Sequence, residues 1–374
     1  MGQTGLRDFT IIGGGIVGAT LALELSRHGL SVELLERREL AREASWASAG
    51  IISPPSPRYG TKLELGLRAY RRYPALIAEV QDATGIDVGY VHTGEIEFGP
   101  EANRERMRAA LEWQTENGMQ VEWIDSAAEL RDREPVLMLD EGCGFYAAEA
   151  GSVILSRLTT AIARAAALQG ALIREHTPVL GINVSQGRVA SVQTFEGEHT
   201  VGAVIIAAGA WSRTLGDSLD VSIPTVPVRG QMLAIESPPI PMTSVVAAGG
   251  IYVVPRADGS IAVGATEEHD AGFDTGVTPA GIAWLTERIE ALAPSLNQGR
   301  LSATWAGLRP GTTDGDPIIG RVPHVENAWI ATGHFRSGAL LAPATAELLT
   351  ASIVSGDSDP VLQPFDPARF AVGS

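Results

Sequence analysis

The run Gly13-x-Gly15-x-x-Gly18 constrains this chain more than any other feature, because of what stands on either side of it. Before it, the apolar stretch Phe9 to Ile12 reads as a buried strand. After it, Ile16 to His28 is amphipathic with a helical period and stops at Gly29, a helix-ending glycine. Val32 to Glu36 then reads as a second strand. Strand, glycine turn, helix and strand form the βαβ unit on which dinucleotides sit. Gly13 makes the tight turn, Gly15 lets the backbone approach a pyrophosphate, and Gly18 lets the helix pack on its strand. The amides at the helix start, around Ile16 and Val17, face the phosphates. Glu36 stands where an acid accepts hydrogen bonds from the adenosine ribose, and it would oppose a 2′-phosphate despite Arg37 and Arg38 beside it.

Three further segments favour a flavin over a nicotinamide. Ala44 to Gly50 (ASWASAG), which holds Ser45, Ala49 and Gly50, is a loop of small residues over which a ribityl chain can lie. Val204 to Ser212 (VIIAAGAWS) brings a second strand and turn to the sheet, with Gly209 and Trp211 placed to cover an adenine. Gly333 to Thr345 (GHFRSGALLAPAT) puts a turn and a helix N-terminus late in the chain, whose dipole favours negative charge on a reduced flavin ring.

Composition narrows the function classes. With 28 basic and 44 acidic residues, a formal charge of −16 repels nucleic acid backbones. All the basic residues but Lys62 are arginine, so no phosphate-binding lysine loop exists and a Schiff base has one poorly placed candidate. Cys143 is the only cysteine, which points to a reducing cytoplasm. The seven histidines have no ligand spacing for a metal, and Asp314-Gly315-Asp316 reads as a turn. The apolar run Ala339 to Val354 is interrupted by Pro343 and Glu347, so no membrane span is expected.

The length, 374 residues, suits two domains. The expected fold class is α/β: a discontinuous FAD-binding Rossmann-type domain with an inserted antiparallel-sheet substrate domain. Residues 1–83, 150–222 and 306–374 are assigned to the first, and 84–149 and 223–305 to the second. Ala171 to Glu175, Val179 to Val184 and Arg188 to Phe195 read as a three-stranded meander. Thr304 to Leu308 reads as a strand, and Ser337 to Val354 as the last helix.

Trp305 to Gly315 (WAGLRPGTTDG), Ile251 to Arg256 (IYVVPR), Val263 to Thr266 (VGAT) and the Gly333 to Thr345 stretch together resemble the D-amino-acid oxidase family of flavoproteins, and most closely its glycine-oxidising branch. The resemblance covers nearly the whole chain, and its C-terminal third is the specific part. It implies noncovalent FAD, with Val179, His334, Arg336, Ser337, Gly338 and Leu340 joining the positions above around the cofactor. It also implies an amino acid carboxylate held by Arg309 and Tyr252, a pairing that suits a guanidinium fork and a phenol donor. Arg336 is either a second carboxylate contact or an anchor for the flavin loop.

The implied reaction is hydride transfer from the substrate Cα to flavin N5 with no protein acid or base at the reacting carbon. Dioxygen is reduced to hydrogen peroxide, and iminoacetate goes to the thiazole of thiamine or hydrolyses to glyoxylate and ammonia. Sarcosine or a small D-amino acid, a dehydrogenase passing electrons to a quinone, and an FAD-binding subunit of a larger enzyme stay open as alternatives. Sarcosine oxidases with covalent flavin carry a C-terminal cysteine and a flavin-side lysine, both missing here. The partners expected are glycine or another small amino acid, dioxygen and further copies of the chain, with neither nucleic acid nor membrane. Glu267, directly after VGAT, is expected to turn outward with Glu268, His269 and Asp270 into solvent; facing the substrate is the second reading.

Overall fold

The computed structural model describes residues 6–370. Two large sheets organise it. The first has six strands in the order Ile318–Arg321, Ala328–Thr332, Val204–Ile206, Phe9–Ile12, Val32–Leu35 and Leu172–Arg174. All neighbours are parallel except the edge strand Ile318–Arg321, which runs antiparallel to Ala328–Thr332. Successive residues of a strand point to opposite faces, and both faces here are covered. Ile11 and Leu34 pack under the helices Ile16–Arg27, Leu63–Thr84, Leu155–Leu168 and Gly338–Ser355. Ile12 and Leu35 pack under a three-stranded meander through Ile182, Val189 and Val192. A strand buried on both sides reads as a continuous apolar run, which is why Phe9 to Ile12 and Val204 to Ile206 are legible without alternation.

The meander consists of Gly181–Ser185, Arg188–Thr194 and Gly197–Thr200. Leu172–Arg174 is not part of it, contrary to the expectation from alternation, and forms the edge of the parallel sheet beside Val32–Leu35. Gly338–Ser355 runs on past Pro343, with ten of its residues buried. It is long and apolar enough to cross a membrane by length and composition, but here it packs against Ile16–Arg27 and Leu63–Thr84 as a core helix.

The second sheet has eight strands in the order Arg300–Thr312, Thr225–Glu236, Ile261–Gly264, Ile251–Pro255, Val245–Ala248, Glu95–Gly99, Cys143–Ala147 and Val121–Ile124. Every pair is antiparallel except Val245–Ala248 with Glu95–Gly99. Arg300–Thr312 pairs with Thr225–Glu236 along its length, Thr312 opposite Thr225, so the change of sheet comes after Thr312 and not at position 306. The strand therefore carries Arg309 into the antiparallel sheet. On the back face Leu233, Val253 and Val263 pack under the helix Pro279–Leu292, whose first turn is capped by the Thr278 hydroxyl accepting from the Gly281 amide. The front face faces the parallel domain.

Candidate active site

A single cavity of about 1230 Å³ runs from the glycine turn of the parallel domain to the front face of the eight-stranded sheet. Its first half is built by close backbone approach. A Cβ on Gly13, whose φ is +117°, would lie 2.4 Å from the Ala207 carbonyl oxygen, and one on Gly18 would lie 1.9 Å from the Gly13 carbonyl oxygen. No side chain fits either position. Gly18 thus packs the helix and does not line the cavity, whereas Gly13, Gly15, Ile16 and Val17 do. Ser45 Oγ accepts from the Ile16 amide at 3.0 Å and ties the small-residue loop to the helix start.

Glu36 is buried, and its two oxygens accept the Gly14 amide at 2.6 Å and the Arg38 amide at 2.9 Å. Held by two backbone donors, each oxygen keeps a lone pair toward the cavity. Arg37 pairs with Glu43 and lies 3.5 Å over the Trp211 ring; Val179, Gly209 and Trp211 close this end. Ala49, Gly50, Ser337, Gly338 and Leu340 line the middle. His334 there is buried, 3.1 Å from Thr345 Oγ1, and burial pushes its imidazole down to about 4, leaving it neutral at pH 7. Positive field in the middle of the cavity comes instead from the amide end of the helix that starts at Gly338. A cradle that only glycine fills, a fixed ribose-height carboxylate and a facing helix N-terminus fit FAD.

The second half is set by register. Trp305, Met232, Gly264, Tyr252, Ala247 and Glu97 are directly opposite one another in turn, so they form one row across the front face. Arg309 stands two front-facing positions further along its strand than Trp305, with Gly307 between them. Its Nη1 donates to the Thr266 carbonyl at 3.0 Å, and its guanidinium lies over Gly230. Among the described residues the Tyr252 hydroxyl finds only Met232 Sδ, at 3.8 Å.

Charge bookkeeping isolates one of these groups. Of the cavity's cations, Arg37 pairs with Glu43, Arg42 with Glu39, Arg58 and Arg106 with Glu97, Lys62 with Asp316 and Arg336 with Glu267. Among the described arginines and lysines that line the cavity, Arg309 alone has no carboxylate partner. A half-buried guanidinium left uncompensated in an acidic protein is a ready anion site.

Glu267 is exposed, as the outward reading expects, but its side chain is not free in solvent. It lines the cavity and contacts the Arg336 guanidinium, while its other oxygen is 3.1 Å from His269 Nε2. Burial pushes its carboxyl up, but Arg336, His269 and Arg309 more than offset this and hold it below the usual range. Arg336 is thus tied to Glu267 across the domain boundary. Glu268 is not solvated loop either: it accepts from Arg229, Gln231 and Thr266. Sequence reasoning missed Gly230; a glycine inside a strand pattern signals close approach, and that signal was present in Val228 to Met232.

A dinucleotide cradle opening onto an antiparallel sheet that presents a lone guanidinium defines a flavin-dependent oxidoreductase. The chain belongs to the DAO family of FAD dependent oxidoreductases, whose profile matches residues 8–352. It is 37% identical to a glycine oxidase of Pseudomonas aeruginosa, over 96% of this chain and 97% of that one. The crystal structure of glycine oxidase from Geobacillus kaustophilus superposes with a TM-score of 0.89 at 32% identity, covering 98% of this chain and 99% of that one. The structure of iminodiacetate oxidase from Chelativorans sp. matches with a TM-score of 0.85 at 26% identity, covering 96% and 98%.

Proposed function

We propose that the protein is an FAD-dependent oxidase of glycine, and that the uncompensated guanidinium of Arg309, in the same cavity as the Tyr252 hydroxyl, is the observation that carries this reading. FAD, held along Gly13, Gly15, Ile16 and Glu36, would supply the oxidising chemistry, a two-electron acceptor for the substrate Cα–H that dioxygen could reoxidise with release of hydrogen peroxide. The chain's own residues bind and orient. Arg309 takes the substrate carboxylate with its remaining N–H groups, while the bond to Thr266 keeps its fork from swinging away. Tyr252 donates one further hydrogen bond. Met232 lines the cavity as an apolar floor that excludes water, and the Trp305 indole, fixed by its 3.1 Å bond to the Ala47 carbonyl, belongs to the same apolar cluster behind it. With the amine delivered neutral, no side chain has to remove a proton at Cα, and catalysis reduces to orientation.

The product imine hydrolyses to glyoxylate and ammonia or serves thiazole formation, as the family resemblance implies. The cytoplasm suits a chain whose one cysteine, Cys143, is buried and free. Gly264 and Ala247 flank Tyr252 without crowding it, which favours sarcosine or a small D-amino acid as the second reading. Peroxide release by the purified yellow protein with glycine, sarcosine and D-alanine tests both. Peroxide with none of the three overturns the oxidase reading.

A further inference from the structure

The cavity does not end at Tyr252. Along the same row of the front face, Tyr252 is opposite Ala247 and Ala247 is opposite Glu97, so Glu97 stands two strand spacings from Tyr252, roughly 10 Å between backbones. Only a methyl rises from the floor between them, and the following lining residues, Ala248, Gly249 and Gly250, add little more. At the far end Glu97 is buried, and both its oxygens are taken: Arg58 lies 2.8 Å from Oε2 and Arg106 donates to Oε1 at 3.0 Å. The two arginines come from separate elements, the turn Pro57–Lys62 and the helix Arg104–Glu116.

Two guanidiniums on one carboxylate leave a surplus of donors. Each fork has five N–H groups, and one on each is engaged with Glu97. Glu95, two residues earlier on the same face, also lines the cavity, and burial pushes its carboxyl up despite Ser53 and Arg58. Both arginines are exposed, and forks with free N–H groups bind carboxylate or phosphonate.

We propose that Arg58 and Arg106 form a second anion subsite in the substrate cavity, so that the preferred substrate is an amino acid carrying a second acid group, on its nitrogen or on its side chain. This rests on the oxidase reading above and names the substrate class for the same site. Arg309 holds one carboxylate beside the flavin cradle, and the arginine pair holds the other across the open floor at Ala247. For iminodiacetate the chemistry balances as iminodiacetate plus dioxygen plus water giving glyoxylate, glycine and hydrogen peroxide. One Cα–H bond breaks, two electrons pass through FAD to dioxygen, and water cleaves the C–N bond of the imine.

The test compares kcat/KM of the holoenzyme for iminodiacetate against sarcosine, and for D-glutamate against D-alanine, with N-(2-aminoethyl)glycine as the cationic control. The expected result is a preference of about tenfold or more for at least one diacid over its neutral counterpart; which pair shows it tells whether the second acid sits on nitrogen or on the side chain. Arg106→Ala should lower that ratio by about tenfold and Arg106→Lys by less, since charge remains and the fork is lost. Equal efficiencies within both pairs, preference for the cationic amine, or a ratio unmoved by Arg106→Ala overturns the subsite. If no amine is oxidised, the oxidase reading fails and binding still decides: oxydiacetate should perturb the flavin absorbance at about tenfold lower concentration than methoxyacetate, and equal concentrations overturn the subsite. The same titration reads Arg106→Lys if Arg106→Ala fails to fold.

Discussion

The guanidinium of Arg309 lies on the bare backbone of Gly230, so close that a Cβ on Gly230 would be 2.4 Å from Nη1 and 2.5 Å from Nη2. The glycine, on the neighbouring strand, is what lets the fork lie flat against the sheet and reach the Thr266 carbonyl. Gly230→Ala should therefore act on substrate and spare the cofactor: KM for glycine rises, by the equivalent of about 1–3 kcal/mol for an overpacked position, while FAD affinity is unchanged. Steady-state kinetics with a parallel FAD titration checks it. Equal losses in both would mean a general folding defect.

Removing the fork itself is the sharper measurement. Arg309→Ala should lower kcat/KM for glycine by the equivalent of about 2–5 kcal/mol, the range for truncating one partner of a desolvated charge pair. Tyr252→Phe should cost about 1 kcal/mol, one neutral hydrogen bond. An unchanged KM in Arg309→Ala would place the carboxylate elsewhere in the cavity.

At the other end of the cavity, Glu36 does two jobs at once. It accepts the Gly14 and Arg38 amides and so shapes the glycine turn before any ribose arrives. Glu36→Ala should weaken FAD by about 1.5–3 kcal/mol for each charged hydrogen bond lost, measured by flavin release on dilution. Glu36→Gln, which keeps one acceptor oxygen, should fall between the two. A loss confined to turnover would rule out the ribose assignment.

Sequence and structure agree where the information is local. Gly13, Gly15, Gly18 and Glu36 lie within one βαβ unit, and spacing alone is enough to place them. Arg309 and Tyr252 are different: they line one cavity only because Tyr252 pairs with Gly264, Gly264 with Met232 and that strand with the one bearing Arg309. No periodicity reports such a chain of registers, and their assignment came from family resemblance. The contact of Glu267 is hidden from the sequence for a related reason, since its partner Arg336 is 69 residues away. Val121–Ile124 and Cys143–Ala147 are four- and five-residue strands at the sheet's edge, too short for alternation to declare them.

The Glu267 and Arg336 contact sets the sign of a pH experiment. With Glu267 held ionised below the usual carboxylate range, the pair is neutral as a whole through neutral pH and leaves Arg309 as the dominant cation. Glu267→Gln strips the negative charge and leaves Arg336 uncompensated. A nearby positive charge disfavours the ammonium form, so the ascending limb of turnover with glycine, governed by loss of the amine proton, should move to lower pH. A profile superposable on the wild type would mean that the carboxylate acts on Arg336 alone and never on bound substrate.

His334 makes the last prediction, one about stability. Its imidazole is buried and titrates at about 4 in the folded protein, against about 6.5 in an unfolded chain. Between those values the unfolded chain binds a proton that the folded one refuses, so acid favours unfolding. The sign follows from the depressed pKa of a base: the stabilisation is complete above pH 6.5 and drains away as pH falls toward 4. The two pKa values correspond to about 3 kcal/mol over that window, all from one proton. His334→Gln keeps a polar contact for Thr345 and removes the titration. Urea unfolding of the holoenzyme at pH 7.0 and 5.0 should then show a smaller loss of stability in His334→Gln than in the wild type, by about 2 kcal/mol over those two units. Parallel losses in both proteins would show that another group carries the acid sensitivity.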